Sequence, residues 1–131
     1  MLVRPPSTRQ ERGSATVEVA VLAPALLLVV FTIIQVGLWS YARSLALGAA
    51  QEGLAAGRSF GATALAGRER AEQFLARTAG DSLRDSVGSV QVESTTLEVE
   101  VRGRALSVLP GIPGLPVRQQ ARGPIERVSS P

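Results

Sequence analysis

Residues 12–24, RGSATVEVAVLAP, lead out of an arginine-containing segment into a long apolar run, and they set a carboxylate, Glu18, just inside it. From Val19 to Tyr41 no residue is charged, and before the aromatic end only Thr32 and Gln35 are polar. A helix over these residues rises about 34 Å, enough to cross a hydrocarbon core of ~30 Å with some tilt. Trp39 and Tyr41 close the run where an interfacial aromatic belt belongs. Arg4, Arg9 and Arg12 precede the run, whereas Arg43 and then Arg58 follow it. That bias predicts an N-terminus inside and a C-terminus outside. An ordinary cleaved signal peptide fits less well, because its apolar stretch is shorter and its small-residue site follows directly.

Outward from this helix, residues 1–13 are polar and proline-broken and read as disordered. Pro24 removes the hydrogen bond to the Ala20 carbonyl and predicts a helix kink. Beyond Tyr41 the helical pattern continues through an alanine- and leucine-rich stretch to about residue 61. Gly53, Gly57 and Gly61 recur on one face there, which suits either a close helix contact or a frayed helix end.

Residues 68–83, RERAEQFLARTAGDSL, predict a short amphipathic helix with Ala71, Phe74 and Leu75 on one face. Arg68/Glu72 and Arg77/Asp81 are spaced as i,i+4 pairs. The period then changes to two. In TTLEVEVRG (95–103), Leu97, Val99 and Val101 alternate with Glu98, Glu100 and Arg102, the pattern of a half-buried antiparallel strand. SVQVES (89–94) is its hairpin partner, RALSVL (104–109) a weaker third strand, and VRQQARG (117–123) a last, edge strand after the loop PGIPGLP (110–116).

The predicted fold class is therefore α+β. One N-terminal transmembrane helix, about residues 17–41 within a helical segment 14–61, extends into a small extracytoplasmic head, 62–131, of one short helix and a 3–4-stranded antiparallel sheet. A head of about 70 residues without staples has a marginal core. It is expected to lean on the emerging helix or on a partner.

Composition excludes much chemistry. Among 131 residues there is no histidine and no cysteine, so the usual nucleophile–base pairs, disulfides and most transition-metal sites are absent. All 14 basic residues are arginine, which reads as codon usage. Net charge is +3, the arginines are scattered, and there are five aromatic residues (one Trp, one Tyr, three Phe), so no nucleic-acid surface is expected. Glu98 and Glu100 share the outer face of one strand and are expected to be solvated rather than to hold a hard cation. No metal, cofactor, small-molecule substrate or active site is expected.

Glu18 remains to be explained. A carboxylate in a membrane helix costs up to about 2.5–3.5 kcal/mol at full depth. A first-turn acid favoured by the helix dipole is the plain account. It is one residue late for a capping box with Ser14. A cut after Gly13 would instead release the Ser14 ammonium one turn from Glu18, in the same chain or a neighbour, and a paired charge is tolerated in an apolar bundle.

Gly13, Glu18 and the apolar run resemble a class 3 (type IV) prepilin signal, cut on the cytoplasmic side by a membrane aspartic peptidase. More closely, GSATVEVAVLAPALLLVV (13–30) is similar to the start of TadE-like proteins, pseudopilins of tight-adherence (Flp) pilus systems, at Gly13, Val17, Glu18 and Pro24. GAAQEGLAAGR (48–58) and, more weakly, ARGPIER (121–127) also resemble that family. The resemblance implies a leader 1–13, cleavage by a prepilin peptidase between Gly13 and Ser14, and charge pairing at Glu18 during assembly. It implies a non-enzymatic minor pseudopilin of the cytoplasmic membrane, partnered by sister pseudopilins and the inner-membrane pilus platform, with incorporation into a surface pilus left open. Major Flp pilins carry Glu-Tyr where this chain has Glu18-Val19, and they are much shorter. TadE and TadF types are not distinguished by these residues. The alternatives are an unprocessed single-pass anchor with a binding head, and a membrane-tethered hydrolase working with carboxylates alone.

Overall fold

Helix α1 runs from Thr8 to Arg58, 51 residues and about 77 Å long. The computed structural model describes residue 3, residues 8–59 and residues 61–126. Disorder up to residue 13 is not what the structure has: residues 8–13 are helical. No proline or glycine lies between Pro6 and Gly13, and adding turns to an existing helix avoids the cost of nucleation. The other residues expected to be disordered lie outside the described ones, apart from Val3, which is exposed and in neither helix nor strand.

Along α1 the environment changes once. Every residue from Arg12 to Ile34 is exposed, whereas Gln35, Ala42, Ala46, Ala49 and Ala50 are buried. The buried alanines recur at helical spacing and form a small-residue stripe that lets other elements approach the helix axis. The chain turns back after Arg58, with Gly61 at a φ of +76° and the Ala62 amide bonded to the Ser59 carbonyl at 3.0 Å. Thr63 caps helix α2 (Ala64–Thr78), its hydroxyl accepting from the Ala66 amide at 3.2 Å.

The return path places Gly67 of α2 against Gly53 and Gly57 of α1, and Phe74 against Gly48, so the two helices run antiparallel. A Cβ on Gly53 would lie 2.7 Å from the Gly67 carbonyl oxygen, and one on Gly57 would lie 2.6 Å from Leu97 Cδ2. Of the two readings of this glycine series, Gly53 and Gly57 are a packing seam and Gly61 is the turn that ends it. Ala71 and Leu75 are buried and Phe74 packs against the core, as their shared face predicts. Arg68 Nε and Glu72 pair at 3.1 Å. Arg77 and Asp81 do not, because α2 stops at Thr78 and Asp81 belongs to a short 3-10 turn, Gly80–Ser82.

Three strands follow: β1 (Leu83–Glu93), β2 (Thr96–Ala105) and β3 (Pro116–Pro124), antiparallel in the order β1-β2-β3. β1 begins earlier than SVQVES suggests, because a bulge between Arg84 and Val87 breaks its alternation and leaves Asp85 at a φ of +50°. RALSVL is not a separate strand. Its first two residues end β2, and residues 106–109 enter the loop to β3. The edge position of β3 is as expected. Leu97, Val99 and Val101 of the central strand and Val117 of β3 are buried with the alanine stripe of α1. The head thus leans on the emerging helix, whose C-terminal half supplies one wall of its core.

Candidate functional site

The residues expected to carry function lie along the exposed half of α1. Gly13 and Ser14 sit inside the helix, both exposed, and a Cβ on Gly13 would meet nothing within 4 Å. The Thr16 hydroxyl donates to the Arg12 carbonyl at 2.8 Å, a back-bond that competes locally with the helix ladder. Glu18 is exposed one turn beyond Ser14 and has no ion-pair partner among the described residues. α1 continues through Pro24. Around these positions the surface is apolar on every side, with Val17, Val19, Val21, Leu22 and Leu26 all exposed. α1 is long and apolar enough to cross a membrane and fits a membrane-anchored protein.

The two aromatic residues of the expected belt separate. Tyr41 is exposed, whereas Trp39 turns toward the head, packing against its core with its indole Nε1–H 3.4 Å from the Pro116 carbonyl. Arg43 stacks over the Trp39 ring at 4.8 Å from its centroid. One turn earlier lies a residue singled out only as an interruption of the apolar run. Gln35 is 6 % exposed, donates through Nε2 to the Leu106 carbonyl at 3.1 Å and accepts from the Val108 amide at 3.0 Å. Its amide clamps the β2–β3 loop to the helix, so Gln35 marks where the exposed span ends and the head begins.

Glu98 and Glu100 are on the outer sheet face, as expected, but they are not left to solvent. Glu98 pairs with Arg122 directly across β2–β3. Glu100 is 8 % exposed beneath Arg102, Arg118 and Gln120, accepting from Arg118 Nε at 2.9 Å and Gln120 Nε2 at 2.6 Å. The arginines thus occupy the position a hard cation would need. Burial by itself would raise the Glu100 pKa. The hydrogen bonds from Gln120, Arg102 and Arg118, with the charge of Arg102, together outweigh it and lower the pKa from 4.5 to about 2.

A depressed folded pKa stabilises the fold above the unfolded value, and that stability is lost as pH falls through the folded one. The cluster therefore contributes fully above about pH 4.5 and loses its effect toward pH 2. The arginines are more than half exposed, so solvent screening holds the contribution to about 1 kcal/mol. Glu100→Gln should lower head stability at pH 7 by this order and flatten the acid limb. Urea unfolding from pH 7 to pH 2.5 checks it, and an unchanged acid limb would remove Glu100 as its cause.

Among the described residues no group of three or more Asp or Glu side chains is placed to hold a metal ion. The family model for TadE-like protein matches residues 13–54. No curated protein and no solved structure matches the chain. The matched segment holds Gly13, Glu18, Pro24, the exposed apolar span, the Gln35 clamp and Gly53 of the packing seam. Over residues 13–54 the chain therefore carries a TadE-like segment, the family that its N-terminal motif resembles.

Proposed function

We propose that the chain is a non-enzymatic, TadE-like minor pseudopilin of the cytoplasmic membrane that contributes to assembling a tight-adherence (Flp-type) pilus or a related secretion apparatus. The observation that carries the reading is that the TadE-like match begins at Gly13 and takes in an exposed carboxylate, without an ion-pair partner among the described residues, followed by an exposed apolar helix. An apolar helix half with no partner among the described residues suits insertion in a bilayer beside other helices. A carboxylate near the start of that half suits a cationic partner at the membrane surface. In this reading a prepilin peptidase cuts between Gly13 and Ser14, and the Ser14 ammonium of one subunit pairs with Glu18 of the same or a neighbouring subunit. The head stands outside the cytoplasm, and sister pseudopilins and the inner-membrane platform are the partners.

A second reading is the unprocessed single-pass anchor with a binding head. The unbroken passage of α1 through Gly13 and Ser14 favours it, because a peptidase must unwind that turn. Glycine makes the unwinding easier, being about 1 kcal/mol poorer than alanine in a helix. Intact mass spectrometry of membranes from cells with an active prepilin peptidase separates the two. A chain beginning at Ser14 is expected, and retention of Met1–Gly13 would overturn the pseudopilin reading. Protease added to intact spheroplasts should digest the head and spare the leader. A protected head would reverse the orientation.

A further inference from the structure

The loop between β2 and β3 carries no charged residue from Ala105 to Val117, although Arg104 and Arg118 flank it. β2 runs down α1, with Leu97 beside Gly57, Val99 beside Gly53 and the Leu106 carbonyl on Gln35. This loop is therefore the end of the head nearest the exposed apolar span. The fold gives it a defined shape. The Ala105 amide bonds to the Leu115 carbonyl at 3.0 Å, Gly114 lies so close that a Cβ would fall 1.8 Å from the Ala105 oxygen, and Gln35 holds Leu106 and Val108. Yet Ile112 and Leu115, at 53 % and 43 % exposed, point away from the core.

Helix geometry sets the depth of this loop. If Arg12 marks the near headgroup level, Gln35 lies about 34 Å further along the axis, or about 32 Å with an ordinary tilt, against a hydrocarbon core of ~30 Å. If Glu18 marks that level instead, Gln35 lies only about 26 Å along, and the hydrocarbon reaches about 4 Å past it. Both placements bring the loop to the lipid boundary on the head side. We infer that residues 106–116 form a second membrane contact, an apolar loop seated in the interfacial layer of the leaflet that faces the head, continuous with the span of α1. This rests on the membrane-anchored reading above, and it holds for either orientation of the chain.

The loop's chemistry fits that layer. Backbone N–H groups are costly to remove from water. Pro110, Pro113 and Pro116 have none, and the Val108, Ile112 and Ala105 amides are bonded within the protein. Trp39 borders the loop at Pro116 from the helix side and carries Arg43 over its ring, an aromatic ring and a guanidinium suited to the headgroup region. A membrane contact there would fix the head's tilt relative to the bilayer, which a single helix with an unattached head leaves free.

The chain has no cysteine, so single-cysteine labelling of the full-length protein in phosphatidylcholine nanodiscs tests the contact. Three variants carry an environment-sensitive fluorophore: Ile112→Cys in the loop, Thr95→Cys at the opposite end of the sheet, and Leu26→Cys in the span. Lipids spin-labelled near the headgroup should quench the label at 112 severalfold more than that at 95, and aqueous iodide should do the reverse. Lipids spin-labelled near the chain end should quench the label at 26. Quenching at 26 with a water-accessible label at 112 overturns the loop contact and leaves the anchor intact. A water-accessible label at 26 overturns the anchor and, with it, the contact. All three sites are exposed, so the substitutions leave the packed core untouched.

Discussion

Gly53→Leu is expected to detach α2 from α1 and unfold the head under conditions where the wild type is stable. The space at Gly53 is closed on three sides. A Cβ there would lie 2.7 Å from the Gly67 carbonyl oxygen, 3.0 Å from Ala71 Cβ and 3.1 Å from Val99 Cγ1. The first of these is backbone and cannot rotate away. Even Gly53→Ala sets two opposing effects against each other. Helix propensity gains about 1 kcal/mol, while overpacking a close-fitted site costs about 1–3 kcal/mol. A net loss of about 1 kcal/mol follows for alanine, and leucine, which adds three more carbons to a site already closed at Cβ, should cost more than about 3 kcal/mol. Gly37 is the control, because a Cβ there meets nothing within 4 Å. Gly37→Ala should be neutral or slightly stabilising. Denaturant titration of the full chain in detergent, followed by Trp39 fluorescence, reads both, since Trp39 lies against β3 at Pro116. An unfolding midpoint for Gly53→Leu equal to wild type would remove the glycine seam from the fold's supports.

This seam also marks how far the fold is legible in sequence. The apolar run and the two-residue period of Leu97, Val99 and Val101 are local patterns, and each appears where the sequence places it. The glycine spacing leaves two readings open, because a helix end and a helix contact share composition. Only the position of Gly67, brought back by the turn, decides between them. Gln35 was hidden for a related reason. A single amide in a long apolar run looks like a tolerated impurity until a loop 71 residues away presents a carbonyl and an amide to it. Strand alternation alone leaves Glu100 to solvent, because it assigns a face but not its cover. The cover is cross-strand register, which sets Gln120 opposite Glu100 and Arg118 two pairs further along, on the same face opposite Arg102. The motif at Gly13 and Glu18 stands apart from these. It is legible because it is contiguous, and the fold adds only that neither residue is needed for packing.

That last point makes the pair a clean test of processing. Gly13→Val should abolish cleavage and accumulate the full-length chain, with the head unchanged. A peptidase drawing this segment into its site needs room at the residue before the cut, and glycine has no Cβ to obstruct it. Within the protein itself a Cβ there meets nothing within 4 Å, so a loss of cleavage reports on how the peptidase takes up this turn and not on misfolding of the head. Glu18→Gln should behave in the opposite way. It keeps the shape, lies five residues past Gly13 and has no ion-pair partner to lose among the described residues, so it should be cut as wild type. Its defect should appear when subunits meet, because the Ser14 ammonium released by cleavage then lacks its counter-charge. A buried charge left without its partner costs about 3–5 kcal/mol, a hundredfold or more in association. Intact mass on membranes reads the first variant, and co-purification with sister pseudopilins reads the second. Normal cleavage of Gly13→Val would move the processing site elsewhere. Undiminished assembly of Glu18→Gln would return Glu18 to a first-turn acid favoured by the helix dipole alone.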